Sequence, residues 1–206
     1  MAERKHGVPA PPTESTISGA DWDSEDLADR SYERVAFIDV DMTEATSRGA
    51  VFTECTFRNV RFNASTHTES AFLNCTFTRC AFFDATFTDC KLVGSMFDAC
   101  TFDLLKVSGG DWSFVGLPGA GLQGVSFRDV RMREADLTGA RFERATLRGV
   151  DLSGAWLHGA DLTRCDLRGS DLSAVDPLNV TLKDATVDLA QAVTIATALG
   201  LDVRSD

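Results

Sequence analysis

Large apolar residues recur at every fifth position through nearly the whole chain. From Trp22 to Val187 the series has 34 positions, among them Leu27, Phe37, Phe52, Phe72, Phe87, Phe102, Leu117, Leu137, Leu152 and Leu167. Only Ser47, His67 and Pro177 are not large and apolar, and 12 of the 14 Phe residues keep the register; Phe83 and Phe114 do not. A second series lies two residues earlier. From Val35 to Ala190 it holds Ala, Val, Ser, Cys or Gly everywhere except Leu105. The two series never slip against each other, so no inserted loop breaks the count of five.

This period excludes the ordinary elements. Five residues of α-helix advance about 500°, which would scatter the large side chains around the helix. On a straight strand an odd period sends successive large residues to opposite faces. A chain that turns a corner every five residues instead points them all at one axis. The small residue two positions earlier then lies inside as well, near a corner that admits no bulk. Stacked coils satisfy each other's N–H and C=O groups at about 4.8 Å spacing, as strands do. The expected fold is an all-β solenoid with a columnar core.

The filling and the ends divide the chain. Ten of the 14 core positions from Phe37 to Phe102 are Phe, and ten of the 14 from Leu117 to Leu182 are Leu. The bulkier aromatic half is expected to have slightly wider or less regular coils. Between the halves, residues 104–114 put Leu105 in a small slot and Phe114 in an outward one, which predicts a local bulge. Residues 1–19 read as a flexible polar leader, residues 20–187 as the repeat, and residues 188–206 as a helix and tail. Ala20 to Arg34 is expected to form a ragged first coil, since Glu25 and Arg30 occupy small slots. Pro177 breaks the series near the other end. A short helix follows, capped by Asp188 and Gly200, with Leu189, Ala192, Val193, Ala196 and Leu199 on one apolar stripe. At under four turns it must pack on something. Covering its own last coil and joining two chains at a two-fold interface are both open; the second is favoured.

Composition narrows the function. Thirty-one acidic against 20 basic residues give a formal net charge of −11. That disfavours direct nucleic-acid binding and docking on anionic lipid, and suits a basic partner. No long apolar span or signal peptide is legible, so a cytoplasmic protein is expected. All six cysteines (Cys55, Cys75, Cys80, Cys90, Cys100, Cys165) occupy the small inward series and read as free, buried thiols. His6, His67 and His158 are too scattered for a metal site, and His67, in the column, reads as a neutral, hydrogen-bonded imidazole. No nucleophile elbow, phosphate loop, dinucleotide fingerprint or zincin signature occurs. The filled column leaves no obvious pocket. No catalytic residue, cofactor or metal is therefore assigned, and the chain is read as a non-enzyme.

Ala135-Asp136-Leu137-Thr138-Gly139, Val150-Asp151-Leu152-Ser153-Gly154 and Ala160-Asp161-Leu162-Thr163-Arg164 resemble the repeat of the pentapeptide-repeat family: small, polar, Leu or Phe, polar, polar or Gly. The resemblance implies a right-handed quadrilateral β-helix with four pentapeptides per coil. The 34 units then make about 8.5 coils, a rod roughly 40 Å long at the strand spacing, and the twenty-residue coil so implied stacks His67 over Ser47. Residues 63–77, Leu92 to Phe97, Ala99-Cys100 and the stretch from Ala185 to Leu201 resemble more closely the family's DNA gyrase-interacting branch, the mycobacterial and Qnr-type fluoroquinolone-resistance proteins. This likeness covers about Val35 to Val203, while residues 1–19 depart from it and the projecting loops of some Qnr proteins are absent.

What that branch implies is DNA mimicry: an acidic rod occupies the DNA-binding surface of DNA gyrase, inhibiting the enzyme or protecting it from drugs that trap cleaved DNA. DNA carries one charge about every 1.7 Å, so a dimer about 80 Å long that copied this density would carry nearly 50 charges. Two chains carry −22, twice the −11 of one, so the position of the acids matters more than their total. Asp136, Asp151, Asp161, Asp166, Asp171 and Asp176 all occupy the outward slot just before the large-residue position and are the candidate gyrase-binding surface, although solubility and corner hydrogen bonding explain them equally well. Leu178, Leu182, Val187, Leu189, Val193, Ala196 and Leu199 are the candidate homodimer contacts, the C-terminal helix resembling the one that joins two rods in that branch. Immunity against a natural gyrase-targeting toxin, a generic acidic scaffold and a structural spacer remain open.

Overall fold

The computed structural model describes residues 12–204. Most of the expected leader (residues 1–11, with His6) and residues 205–206 lie outside the described residues. The chain winds as a parallel β-solenoid in which every paired residue meets its partner twenty positions on. One face is a five-stranded sheet ordered β1 (Ser15–Ser18), β3 (Val35–Ile38), β6 (Thr56–Arg58), β9 (Thr76–Thr78), β11 (Met96–Asp98). The opposite face is a six-stranded sheet: β4 (Thr46–Arg48), β7 (Thr66–Thr68), β10 (Thr86–Thr88), β12 (Lys106–Ser108), β13 (Ser126–Arg128), β14 (Thr146–Arg148). A third face pairs β2 (Ser31–Glu33), β5 (Val51–Thr53) and β8 (Ala71–Leu73), and continues through Lys91, Asp111, Arg131, Asp151 and Asp171. The fourth, here the bridge face, has no full strand: single bridges join Asp21, Asp41, Arg61, Ala81 and Thr101, then Gly121, Arg141, Asp161 and Thr181.

The two inward series build the column as their spacing predicts. Phe37, Phe52, Phe57, Phe62, Phe72, Leu137, Leu152 and Leu162 are buried, with Val40, Ala45, Cys55, Cys75 and Ala135 at the corners between them. The aromatic half is regular, against the expectation of slightly wider or less regular coils there. Rings one coil apart stack nearly parallel, Phe37 on Phe57 at 4.8 Å, Phe57 on Phe77 at 4.7 Å and Phe77 on Phe97 at 4.6 Å. Backbone pairing sets this pitch, and it coincides with ring-stacking distance, so Phe fits without forcing the coils apart.

His67 sits in this stack between Ser47 and Phe87. Its Nδ1 lies 2.7 Å from Ser47 Oγ and its Nε2 3.1 Å from Ser65 Oγ, while Ser65 Oγ donates to the Phe62 carbonyl at 2.7 Å. Because the Ser65 proton is committed to Phe62, Nε2–H is the donor and Nδ1 accepts from Ser47. Burial depresses the imidazole to a pKa of about 3, so it is neutral. The expected Ser47 stacking is present.

Three expectations need correction. Residues 15–18, read as leader, are strand β1, paired with β3; Ile17 lies five residues before Trp22 and extends the register. The first coil is not ragged either: Glu25 and Arg30, in small slots, turn outward and pair at 2.6 Å. The bulge expected over residues 104–114 is absent, since Lys106, Gly109, Asp111 and Phe114 N–H all bond to neighbouring coils. Gly110 makes this possible. It has φ +85°, and a Cβ there would lie 2.1 Å from the Cys90 carbonyl oxygen. Pro177 does disturb the winding: Gly159 N–H reaches Asn179, twenty residues on, where Gly139 N–H reaches His158, nineteen on.

Candidate partner-binding surface

The six candidate aspartates share one local geometry. In the slot before the large-residue position, the aspartate Oδ1 accepts from the N–H two residues on: Asp136 from Thr138 at 3.1 Å, Asp151 from Ser153 at 3.1 Å, Asp161 from Thr163 at 2.8 Å, Asp171 from Ser173 at 2.8 Å and Asp176 from Leu178 at 3.0 Å. Asp166 accepts from Arg168 N–H at 3.3 Å and, through both oxygens, from its guanidinium at 2.9 and 2.8 Å. The repeat's Asp is thus a corner fastener that fixes the turn after each short side.

The winding distributes these six over all four faces. Only Asp151 and Asp171 are direct neighbours, one coil apart on the third face; Trp156 separates Asp136 from the Asp176 position. Two are also neutralised. Arg133 Nε lies 2.6 Å from Asp151 Oδ2, and the Arg168 guanidinium beside Asp166 holds that carboxyl at a pKa of about 2. Arg128, Arg148 and Arg168 rise in line beside them on the six-stranded face. Asp136, Asp161, Asp171 and Asp176 have no ion pair among the described residues.

Uncompensated negative charge collects in the first two coils. Asp21, Asp23 and Glu44 lie on the bridge face, Asp26 and Asp29 on the adjoining side that continues the six-stranded face beyond Thr46, and none has an ion pair among the described residues. Asp21 faces Asp41 directly across a bridge, while Asp41 is held at a pKa of about 2 by the Arg61 guanidinium. Residues 12–60 contain 11 acids against four bases, and residues 121–180 contain nine against eight. The segment count was readable in the sequence. That these acids sit on two adjoining faces required the winding.

The C-terminal helix α1 (Leu189–Ala198) begins at the expected N-cap: Asp188 Oδ1 accepts from Gln191 N–H at 3.0 Å, and Gln191 Oε1 accepts from Asp188 N–H at 2.8 Å. Sequence reasoning missed the role of Gln191, whose polar side chain is buried. Its Nε2 donates to the Leu167 and Ser170 carbonyls at 2.6 and 2.8 Å, acceptors a further coil would have used. Ile195 packs beside it on the column. The helix therefore closes its own rod with one face and leaves the apolar stripe outside. Leu189 is 83% and Leu178 79% exposed; Val193 and Leu199 are also exposed, and Ala196 is half-buried. Leu182 and Val187 are half-buried against their own last coil.

All six cysteines line the column, five buried and Cys100 half-buried. Among the described residues no group of His, Cys, Asp or Glu could hold a metal ion, and no helix is long and apolar enough to cross a membrane.

The model of pentapeptide repeats matches residues 119–149, 126–164 and 147–176, and that of the SV2A/B/C luminal domain matches residues 26–102. No curated sequence matches the chain. Among solved structures, a trypsin-treated variant of QnrB1, a plasmid-mediated fluoroquinolone resistance protein, is similar over 92% of this chain and 97% of its own at 20% identity, with a TM-score of 0.73. Full-length QnrB1 aligns over 91% and 98% at 19% identity, with a TM-score of 0.52. At this identity the likeness is one of fold.

Proposed function

We propose, from the premise that this chain belongs to the pentapeptide-repeat family, that it is a non-enzymatic, DNA-mimicking protein of the cytoplasm that binds DNA gyrase. By occupying a basic DNA-binding surface it modulates or inhibits the enzyme, or protects it from fluoroquinolones and related poisons that trap cleaved DNA. The supporting observation is the cluster of uncompensated acids, Asp21, Asp23, Asp26, Asp29 and Glu44, on a rod whose backbone fixes their spacing. A rigid array of carboxylates loses little conformational entropy on binding and steers a basic partner at long range. Asp136, Asp161, Asp171 and Asp176 add scattered charge along the rest of the rod. Asp151 and Asp166, committed to arginines, contribute least.

The exposed stripe of Leu189, Val193 and Leu199, together with the exposure of Leu178, supports a homodimer joined through the C-terminal ends. The acidic first coils then become the two far ends of a double-length rod. Gyrase supercoiling measured with purified protein tests the reading, with Asp21→Lys/Asp26→Lys as the decisive variant. Loss of the effect in that variant, with thermal stability retained, is expected. An unchanged effect at low salt removes the acidic first coils from the interaction, and no effect of the unmodified protein on supercoiling or on drug-induced cleavage removes gyrase as the partner.

A further inference from the structure

The bridge face is interrupted once. Phe62 N–H bonds Ala81 at 2.7 Å, Phe82 N–H bonds Thr101 at 2.9 Å and Leu122 N–H bonds Arg141 at 2.8 Å, each one coil on. Between residues 98–104 and 118–124 the corresponding bonds are missing. Ala99, Phe102 and Leu104 N–H make none to Pro118, Gly121 and Gln123, and Gly121 N–H makes none to the Cys100 carbonyl. The coils rejoin on both sides, Phe97 N–H to Gly116 at 2.9 Å and Ser126 N–H to Leu105 at 3.0 Å. Pro118 brings a ring and no N–H to the rung, and Gly119-Ala120-Gly121 brings almost no side chain to fill the space. The Phe82–Phe102 stack widens to 5.5 Å, against 4.9 Å for Phe62–Phe82 below it. The result is a cleft of about 390 Å³ between coils, within the range of small-molecule sites. The expectation that the filled column leaves no pocket fails here.

Its polar groups come in two signs. The upper lip offers Gly121 N–H and Arg141, whose Nη2 would lie 3.2 Å from a Cβ at Gly121. The lower lip offers the Cys100 carbonyl and the Asp103 carboxylate. Neither Arg141 nor Asp103 has an ion pair among the described residues. Unpaired backbone donors and acceptors facing one space, with one fixed charge of each sign, match a ligand carrying both charges at short range. We propose that this cleft binds a small zwitterion of amino-acid to dipeptide size, its carboxylate on Arg141 and Gly121 N–H and its ammonium on Asp103 and the Cys100 carbonyl. Phe97, Phe102 and Pro118 in the lining give an apolar side chain of the ligand a surface to rest on. This site is independent of the partner proposed above.

Amide NMR on the full chain tests it. In the free protein, Ala99, Phe102, Leu104 and Gly121 amides should exchange with solvent far faster than Phe82 and Leu122. Glycylglycine and glutamate should then shift those four resonances saturably and slow their exchange, while acetate and methylammonium, each carrying one charge, should not. Arg141→Gln should weaken binding about tenfold or more, the loss of a charge-assisted contact. Gly121→Val, placed in the cleft mouth at a backbone conformation open to side chains, should abolish it with thermal unfolding little changed. The proposal is overturned by protection of the four amides equal to that of Phe82, by no saturable shift with either zwitterion, or by unaltered binding in both variants.

Discussion

The first two coils and the last three share one backbone and differ in what they present. Hydrogen bonds between coils are the same length at both ends, 2.8 Å from Met42 to Arg61 and 2.8 Å from Leu162 to Thr181. Yet near the N-terminus Asp21, Asp23, Asp26, Asp29 and Glu44 stand without cations among the described residues, whereas near the C-terminus Arg133 and Arg168 hold Asp151 and Asp166. The interior explains the shared part. Inward residues and backbone bonds fix the winding whether Phe or Leu fills the column, so outward positions are free to vary in charge. A solenoid thereby separates stability from recognition more completely than a globular fold does.

The largest test of that separation lies inside. Phe72→Ala should cost about 3–5 kcal/mol and Leu152→Ala about 2–5 kcal/mol in urea unfolding, since each leaves a cavity in a column that cannot collapse sideways. Neither should alter the surface charge. If instead the aromatic half tolerates truncation while the leucine half does not, the two halves are not equivalent fillings of one column.

His67 sharpens the comparison through pH. Its folded pKa of about 3 lies below the ordinary histidine value near 6.5, so the unfolded chain takes up the proton first. The stability present above pH 6.5 is lost as pH falls towards 3, at up to about 1.4 kcal/mol per unit. His67→Phe, continuing the ring stack to Phe87, should flatten thermal stability between pH 6.5 and 4.5. A slope unchanged by this variant would assign the acid sensitivity to other groups.

Gln191→Ala removes two hydrogen bonds to the last coil and leaves the Ser170 carbonyl without its partner, while the Leu167 carbonyl keeps the Ser170 N–H, with an expected cost of about 1–3 kcal/mol. Val193→Asp, on the outer face of the same helix, should leave monomer stability nearly unchanged and halve the mass seen by light scattering. A monomeric unmodified protein would refute the end-to-end dimer. Smallest in stability is the contrast between two acids. Asp151→Asn should cost about 1 kcal/mol by weakening a corner and an ion pair, whereas Glu44→Gln should be neutral within about 0.5 kcal/mol.

Much of this molecule was legible from spacing. The period of five alone required a corner at each repeat, and it located the buried positions that became Phe57, Cys75 and Leu137 of the column. Asp188 as a helix cap and His67 on Ser47 followed from position. What escaped depends on which residues meet across coils. The six candidate aspartates looked like one surface because they share a slot, but twenty-residue winding sends that slot to four faces. Gln191 looked like an outward polar residue because its partners, two carbonyls, carry no sequence signature. The cleft between Cys100 and Gly121 escaped because the register continues through it: Phe102 and Leu122 are in their places, and only the backbone bonds between them are missing.

The central claim is that carboxylates on the first coils take the place of DNA phosphates. Fluorescence anisotropy of a labelled duplex bound to purified gyrase, titrated with this protein at low salt, measures it directly. Competitive release of the duplex is predicted, weakened by added salt and abolished by Asp21→Lys/Asp26→Lys. A ternary complex in which gyrase holds duplex and protein together, each at undiminished affinity, would contradict it.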